Sequence, residues 1–150
     1  MNPEAMPQRH PTPPAITSIE VSFPGGKRVD AQIGDRVIST DQSLLHGGAD
    51  SAPGPFDLFL ASIATCAGVY ALAFCHARDL PTEGLKIRQD VIDDPAARVP
   101  GEFRLHVTLP TGFPEELRPA LLRAIGACKV KKTIARGPSF EVSIEEPDGG

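Results

Sequence analysis

From Leu58 to Cys75 the chain reads LFLASIATCAGVYALAFC, eighteen residues without one charged side chain. Any fold must take that run out of water, since exposed apolar surface costs about 25 cal/mol per Å². Eighteen residues also reach the length of a membrane span. Against that, Ser62, Thr65, Gly68 and five alanines dilute the run, and no basic anchor flanks it. The expectation is therefore a soluble helix buried on every side, with no membrane. One small sheet can cover only a single stripe of such a helix. The remaining face needs another protein surface, and a second copy of the same helix is the simplest candidate. Ala61, Ser62, Thr65 and Gly68 would allow close approach there. A homodimer is expected from burial alone.

Around this helix the chain alternates short β-like runs and turns. Residues 1–14 hold five prolines and read as a disordered tail, leaving 15–150 as a single domain. Residues 16–23 and 27–33 read as strands joined by a hairpin at Pro24-Gly25-Gly26, and a third strand starts at Arg36. Residues 41–54 are a loop, and Pro55 suits the first position of a helix running to about Asp79. Strands are expected over 85–93 and 102–109, then a helix over 114–127 with Pro119 marking a kink or a later start. A short helix over 128–135 and a last strand over 139–145 complete the order βββ-α-ββ-αα-β. That is an α+β pattern rather than repeated βα units.

Composition narrows the function. A net charge of −4 gives no general attraction to nucleic acid, and one Tyr with no Trp leaves little for stacking bases. Three cysteines do not make a disulfide framework, and the N-terminus has no apolar signal core, so a reducing cytoplasm is expected. In that compartment paired cysteines are more often catalytic or redox-active than structural. Cys66 and Cys75 are nine residues apart, about 180° around a helix, and cannot bridge each other. Cys128 opens the last helix among Lys129, Lys131 and Lys132, which makes it the better thiolate by local electrostatics. His46, His76 and His106 show no metal-ligand spacing with the cysteines, and no metal or cofactor is expected. The run KVKKTIAR reads as a solvated helix face.

GPFDLFLASIATC, followed some sixty residues later by CKVKKTIARGPSFEV, resembles the OsmC family of osmotically inducible and organic hydroperoxide resistance proteins. The shared positions are Gly54, Pro55, Asp57, Leu58, Ala61 and Cys66, then Cys128, Val130, Lys132 and Thr133. The resemblance implies antiparallel sheets wrapped around two central helices in an intertwined homodimer, with active sites at the interface. It also implies a thiol peroxidase for organic hydroperoxides, in which Cys66 attacks the peroxide, Cys128 resolves it as a disulfide, and an external dithiol resets the pair. Two departures stand out. Lys129 takes a place often held by proline. The glutamate ten residues before the first cysteine, which pairs with an arginine in peroxidase members, is here Phe56, with Asp57 one position later. Arg28, on the second hairpin strand, is the first choice for that arginine. Two non-peroxidase readings stay open: a dimeric module binding a small hydrophobic ligand in an interface pocket, and a structural cysteine pair.

Overall fold

The computed structural model describes Ala15 and residues 17–147; the proline-rich stretch 1–14, expected to be a tail, lies outside the described residues. The chain forms two compact units that meet in sequence at Pro55 and Phe56.

The first unit is an antiparallel meander of β1 (Glu20–Gly25), β2 (Arg28–Ile33) and β3 (Arg36–Thr40), in that order across the sheet. Gly34 turns β2 into β3 at φ 60°, a left-handed conformation that favours glycine. The register sets Val21, Ala31 and Ile38 side by side on one face and Ser22, Asp30 and Ser39 on the other. After β3 the chain folds back on itself. Asp41 is 1 % exposed and accepts hydrogen bonds from the backbone N–H groups of Gln42 (2.8 Å) and Ser51 (3.1 Å) and from the Ser51 hydroxyl (2.6 Å). Those donors hold its carboxyl below the ordinary aspartate range. Gly48 lies against the Gln42 carbonyl where a Cβ would collide with backbone.

The second unit is built on α1 (Pro55–His76), followed by the hairpin β4 (Lys86–Asp94) and β5 (Val99–Thr108), then α2 (Arg118–Gly126) and α3 (Lys129–Arg136). Its core joins Ala67, Ala71, Phe74 and Cys75 of α1 to Leu121 and Ile125 of α2 and to Phe113. Ile87, Leu105 and Val107 of the hairpin pack against the same cluster. Gln89 ties β4 to α1 by donating to the Leu60 carbonyl at 3.1 Å.

Several expected boundaries move. The long helix stops at His76 instead of Asp79, because the N–H groups of Arg78 and Leu80 both return to the Cys75 carbonyl and Asp79 turns left-handed at φ 51°. β5 begins at Val99, three residues early, because the hairpin turn closes tightly with the Arg98 N–H on the Asp94 carbonyl. Pro119 is a later start: a 3₁₀ turn over Glu115–Leu117 comes first, and proline then occupies the first turn of α2, where its missing N–H costs nothing. The last strand, 139–145, is not formed. A strand needs an edge to pair with, and among the described residues this segment pairs with none; Phe140, Val142 and Ile144 are 92 %, 95 % and 89 % exposed.

By length and composition α1 could cross a bilayer, at a mean hydropathy of 2.0, yet it serves as the core helix of its unit. Only 28 % of its most apolar stretch is buried, and Phe56, Phe59, Val69 and Leu72 remain exposed.

Candidate functional site: a cysteine at the start of the last helix

Cys66 stands at the middle of α1, half-buried, with its sulfur turned to the first turn of α3. Cys128 is the N-cap residue of α3 and is fully buried, but its side chain does not cap its own helix. Lys129 and Val130 open α3, where a helix start leaves backbone N–H groups without intrahelical partners, and they line the same cleft as Cys66. Cys128, the backbone of Val130 and Lys129, and the half-buried Lys131 ammonium all favour the charged form of the Cys66 thiol. Together these lower the Cys66 thiol pKa, the Cys128 hydrogen bond contributing most, while burial pushes the other way. The thiolate expected from local sequence was Cys128. The thiol whose pKa is lowered in the structure is Cys66 of α1.

Beside this sulfur opens a cleft of about 460 Å³ lined by Phe59, Cys66, Val130, Thr133, Ile134 and Pro138, with Lys129 at its edge. Phe59 stacks on Phe56 at 5.5 Å and meets Phe103 of β5 edge-on at 6.4 Å. The lining is mostly apolar around one reactive sulfur, which suits a small apolar molecule carrying a group that thiolate attacks.

The other expected site residues divide. Cys75 faces the opposite side of α1, fully buried in the core, and desolvation raises its pKa. Arg78 donates to the Phe74 carbonyl at 3.3 Å with its guanidinium 3.7 Å over the Phe74 ring. Arg28, on β2, donates to both carboxylate oxygens of Asp30 at 3.3 and 3.1 Å. Asp57 is exposed in the first turn of α1, where an acid favours the helix dipole. His46 shares a 2.8 Å hydrogen bond with Ser43, and His106 pairs with Asp90 at 3.1 Å on the open face of the hairpin. Among the described residues no group of three His, Cys, Asp or Glu side chains is arranged to hold a metal. Sequence reasoning missed the amide donors at 129 and 130. Their signal was present, in a helix that opens at Cys128 with no acidic residue in its first turn.

The family model described as OsmC-like protein matches residues 47–143, which include all three cysteines and the whole of α1, α2 and α3. The chain belongs to the OsmC family. Two solved structures share its fold at low sequence identity. A crystal structure of a protein from Psychrobacter arcticus 273-4, provisionally designated an osmotic stress induced and detoxification response protein, aligns at a TM-score of 0.63 and 20 % identity. That alignment covers 80 % of this chain and 89 % of the other. A structural genomics target aligns at 0.59 and 14 % identity over 80 % and 90 % of the two chains. An organic hydroperoxide resistance protein OsmC from Legionella pneumophila aligns at 0.48 and 20 % identity over 83 % and 93 %. No curated protein sequence matches.

Proposed function

We propose that this OsmC-family chain is a thiol peroxidase that reduces organic hydroperoxides through Cys66 and Cys128, acting as a homodimer in the cytoplasm. Membership of the family supports a peroxide-resistance or redox role in general. The observation that carries the finer reading is the Cys66 thiol, which lines an apolar cleft and has its pKa lowered with Cys128 as the leading cause. The Cys66 thiolate attacks the outer oxygen of ROOH, the O–O bond breaks, and alkoxide leaves to be protonated as ROH. The sulfenic acid then condenses with the Cys128 thiol, forming S–S and releasing water. An external dithiol returns both sulfurs to thiols and leaves as its own disulfide. The Cys66–Cys128 disulfide needs a Cα separation of roughly 4.4–6.8 Å. Arg28 and Asp57 are proposed as the auxiliary cation and acid. Phe56, Phe59, Val69 and Leu72, exposed along α1, are the surface we assign to the partner copy.

Stopped-flow consumption of tert-butyl and cumene hydroperoxide with a dithiol present tests the reading. Wild type turns over, Cys66→Ser does not, and Arg28→Ala slows the reaction by at least about tenfold, or ~1.4 kcal/mol. After one equivalent of peroxide, peptide mapping finds Cys66 linked to Cys128 and Cys75 still free. No turnover, with Cys66 resistant to alkylation at pH 8, leaves the apolar cleft as a binding pocket for a small hydrophobic ligand.

A further inference from the structure

We propose that Phe59, braced by Phe56 and Phe103, is the specificity-determining residue of the cleft beside Cys66, and that the cleft takes a ligand whose reacting group sits one carbon from an aromatic ring. In the reaction proposed above, that class is a benzylic hydroperoxide. The inference rests on the peroxidase reading for its chemistry, while the ring preference stands on the cleft itself.

Phe59 and Cys66 are seven residues apart on α1, so they fall on nearly the same face, two turns or about 10 Å apart along the axis. Both line one cleft. Phe56, one turn earlier on the same helix, stacks on Phe59 with centroids 5.5 Å apart and planes at 27°. Phe103 of β5 meets it at 6.4 Å and 72°. Phe56, ten residues before Cys66, thus serves to hold a wall of the cleft. A ring held from two directions loses little freedom when a ligand arrives. Phe59 is still 38 % exposed, which leaves ring surface for a further contact. A ligand ring joins the cluster in the same offset or edge-on manner, through an interaction that a saturated group of equal size cannot make.

The rest of the lining offers no competing anchor. Val130, Ile134 and Pro138 are apolar, and Thr133 donates its hydroxyl proton to the Lys129 carbonyl at 2.8 Å. The span sets the length of the ligand. Reacting atoms approach to about 3–3.5 Å, and paired rings sit about 4.5–7 Å apart between centroids. Those two contacts take up most of the two-turn distance, leaving room for a single carbon between ring and hydroperoxide and none for a long chain.

The test is an NMR titration of the full-length reduced protein, labelled with ¹⁵N, followed at the Thr133 and Ile134 amides. The probes are 2-phenyl-2-propanol and 2-cyclohexyl-2-propanol, alcohols of the same shape with and without the ring. Wild type binds the phenyl alcohol about three- to tenfold more tightly, the worth of one aromatic pair. Phe59→Leu, which keeps the apolar bulk, removes the difference, and Phe103→Leu narrows it. Phe59 also lies on the stripe of α1 assigned to the partner copy, so sedimentation equilibrium follows each variant. Phe103 lies off that stripe and decides the matter if Phe59→Leu alters assembly. Equal affinities in wild type, no binding of either alcohol, or a preference that survives both substitutions overturns the proposal. Turnover of cumene and tert-butyl hydroperoxide separates the two readings. A ring preference lost in the variants, without turnover of either peroxide, upholds the proposal and removes the peroxidase reading. Turnover with equal affinities for the two alcohols does the reverse.

Discussion

Asp41 shows how one side chain can fix a loop. Its carboxylate takes three donors from the segment that follows β3, and those donors lower its pKa, with the Ser51 hydroxyl contributing most. A group whose folded pKa is depressed contributes stability above its unfolded pKa, and that contribution disappears as pH falls through the folded value. The protein is therefore expected to lose stability on acidification below about pH 4, the unfolded range of aspartate. Asp41→Asn should lower the urea midpoint at pH 7 and flatten its fall between about pH 4 and pH 2. Urea titrations of both proteins across that range check it; parallel curves would assign the acid limb to other carboxylates. None of this was legible in the sequence, where residues 41–54 read only as a loop. A carboxylate finds its donors ten residues away through backbone geometry, which composition does not encode. The cysteines were different. Their opposed directions on α1 followed from helical spacing, whereas the meeting of Cys66 with the start of α3 in one cleft depends on how distant helices pack.

Among the elements, α2 gives the clearest packing prediction. It places Leu121, 1 % exposed, and Ile125 in the core while Leu122 stays 60 % exposed. Leu121→Ala should destabilise the protein by about 2–5 kcal/mol through lost burial and the cavity left behind. Leu122→Ala should change it by no more than about 0.5 kcal/mol. Urea unfolding of the two variants separates them, and equal losses would mean that this face of α2 is misassigned. The elements themselves were largely readable. Alternation marked β1, β2, β4 and β5, and Pro55 and Pro119 both fell in first turns, where proline belongs. The segment 139–145 has the same alternation, Phe140, Val142 and Ile144 against Glu141, Ser143 and Glu145, and still forms no strand. Periodicity states a preference for the extended form, but pairing requires a neighbour, and sequence pattern does not report whether one is in reach.

Over the whole molecule, large apolar side chains stay in solvent in both units. Ile19, Val21 and Phe23 of the first are 56 %, 56 % and 77 % exposed, and the outer stripe of α1 and the segment after α3 add more in the second. Exposed apolar side chains in such numbers, taken unit by unit, mark association surfaces. Sedimentation equilibrium at micromolar concentration should find a dimer, and Val69→Glu with Leu72→Glu, which charge that stripe, should shift the protein toward monomer. A wild-type protein that stays folded and monomeric would refute the expectation drawn from the uncharged helix. One more consequence follows from Cys75. It is fully buried on the far side of the helix that carries Cys66. In the proposed reaction each chain would then store two electrons, held by Cys66 and Cys128. The third sulfur adds no charge to that account and gives the oxidised pair no route to rearrange.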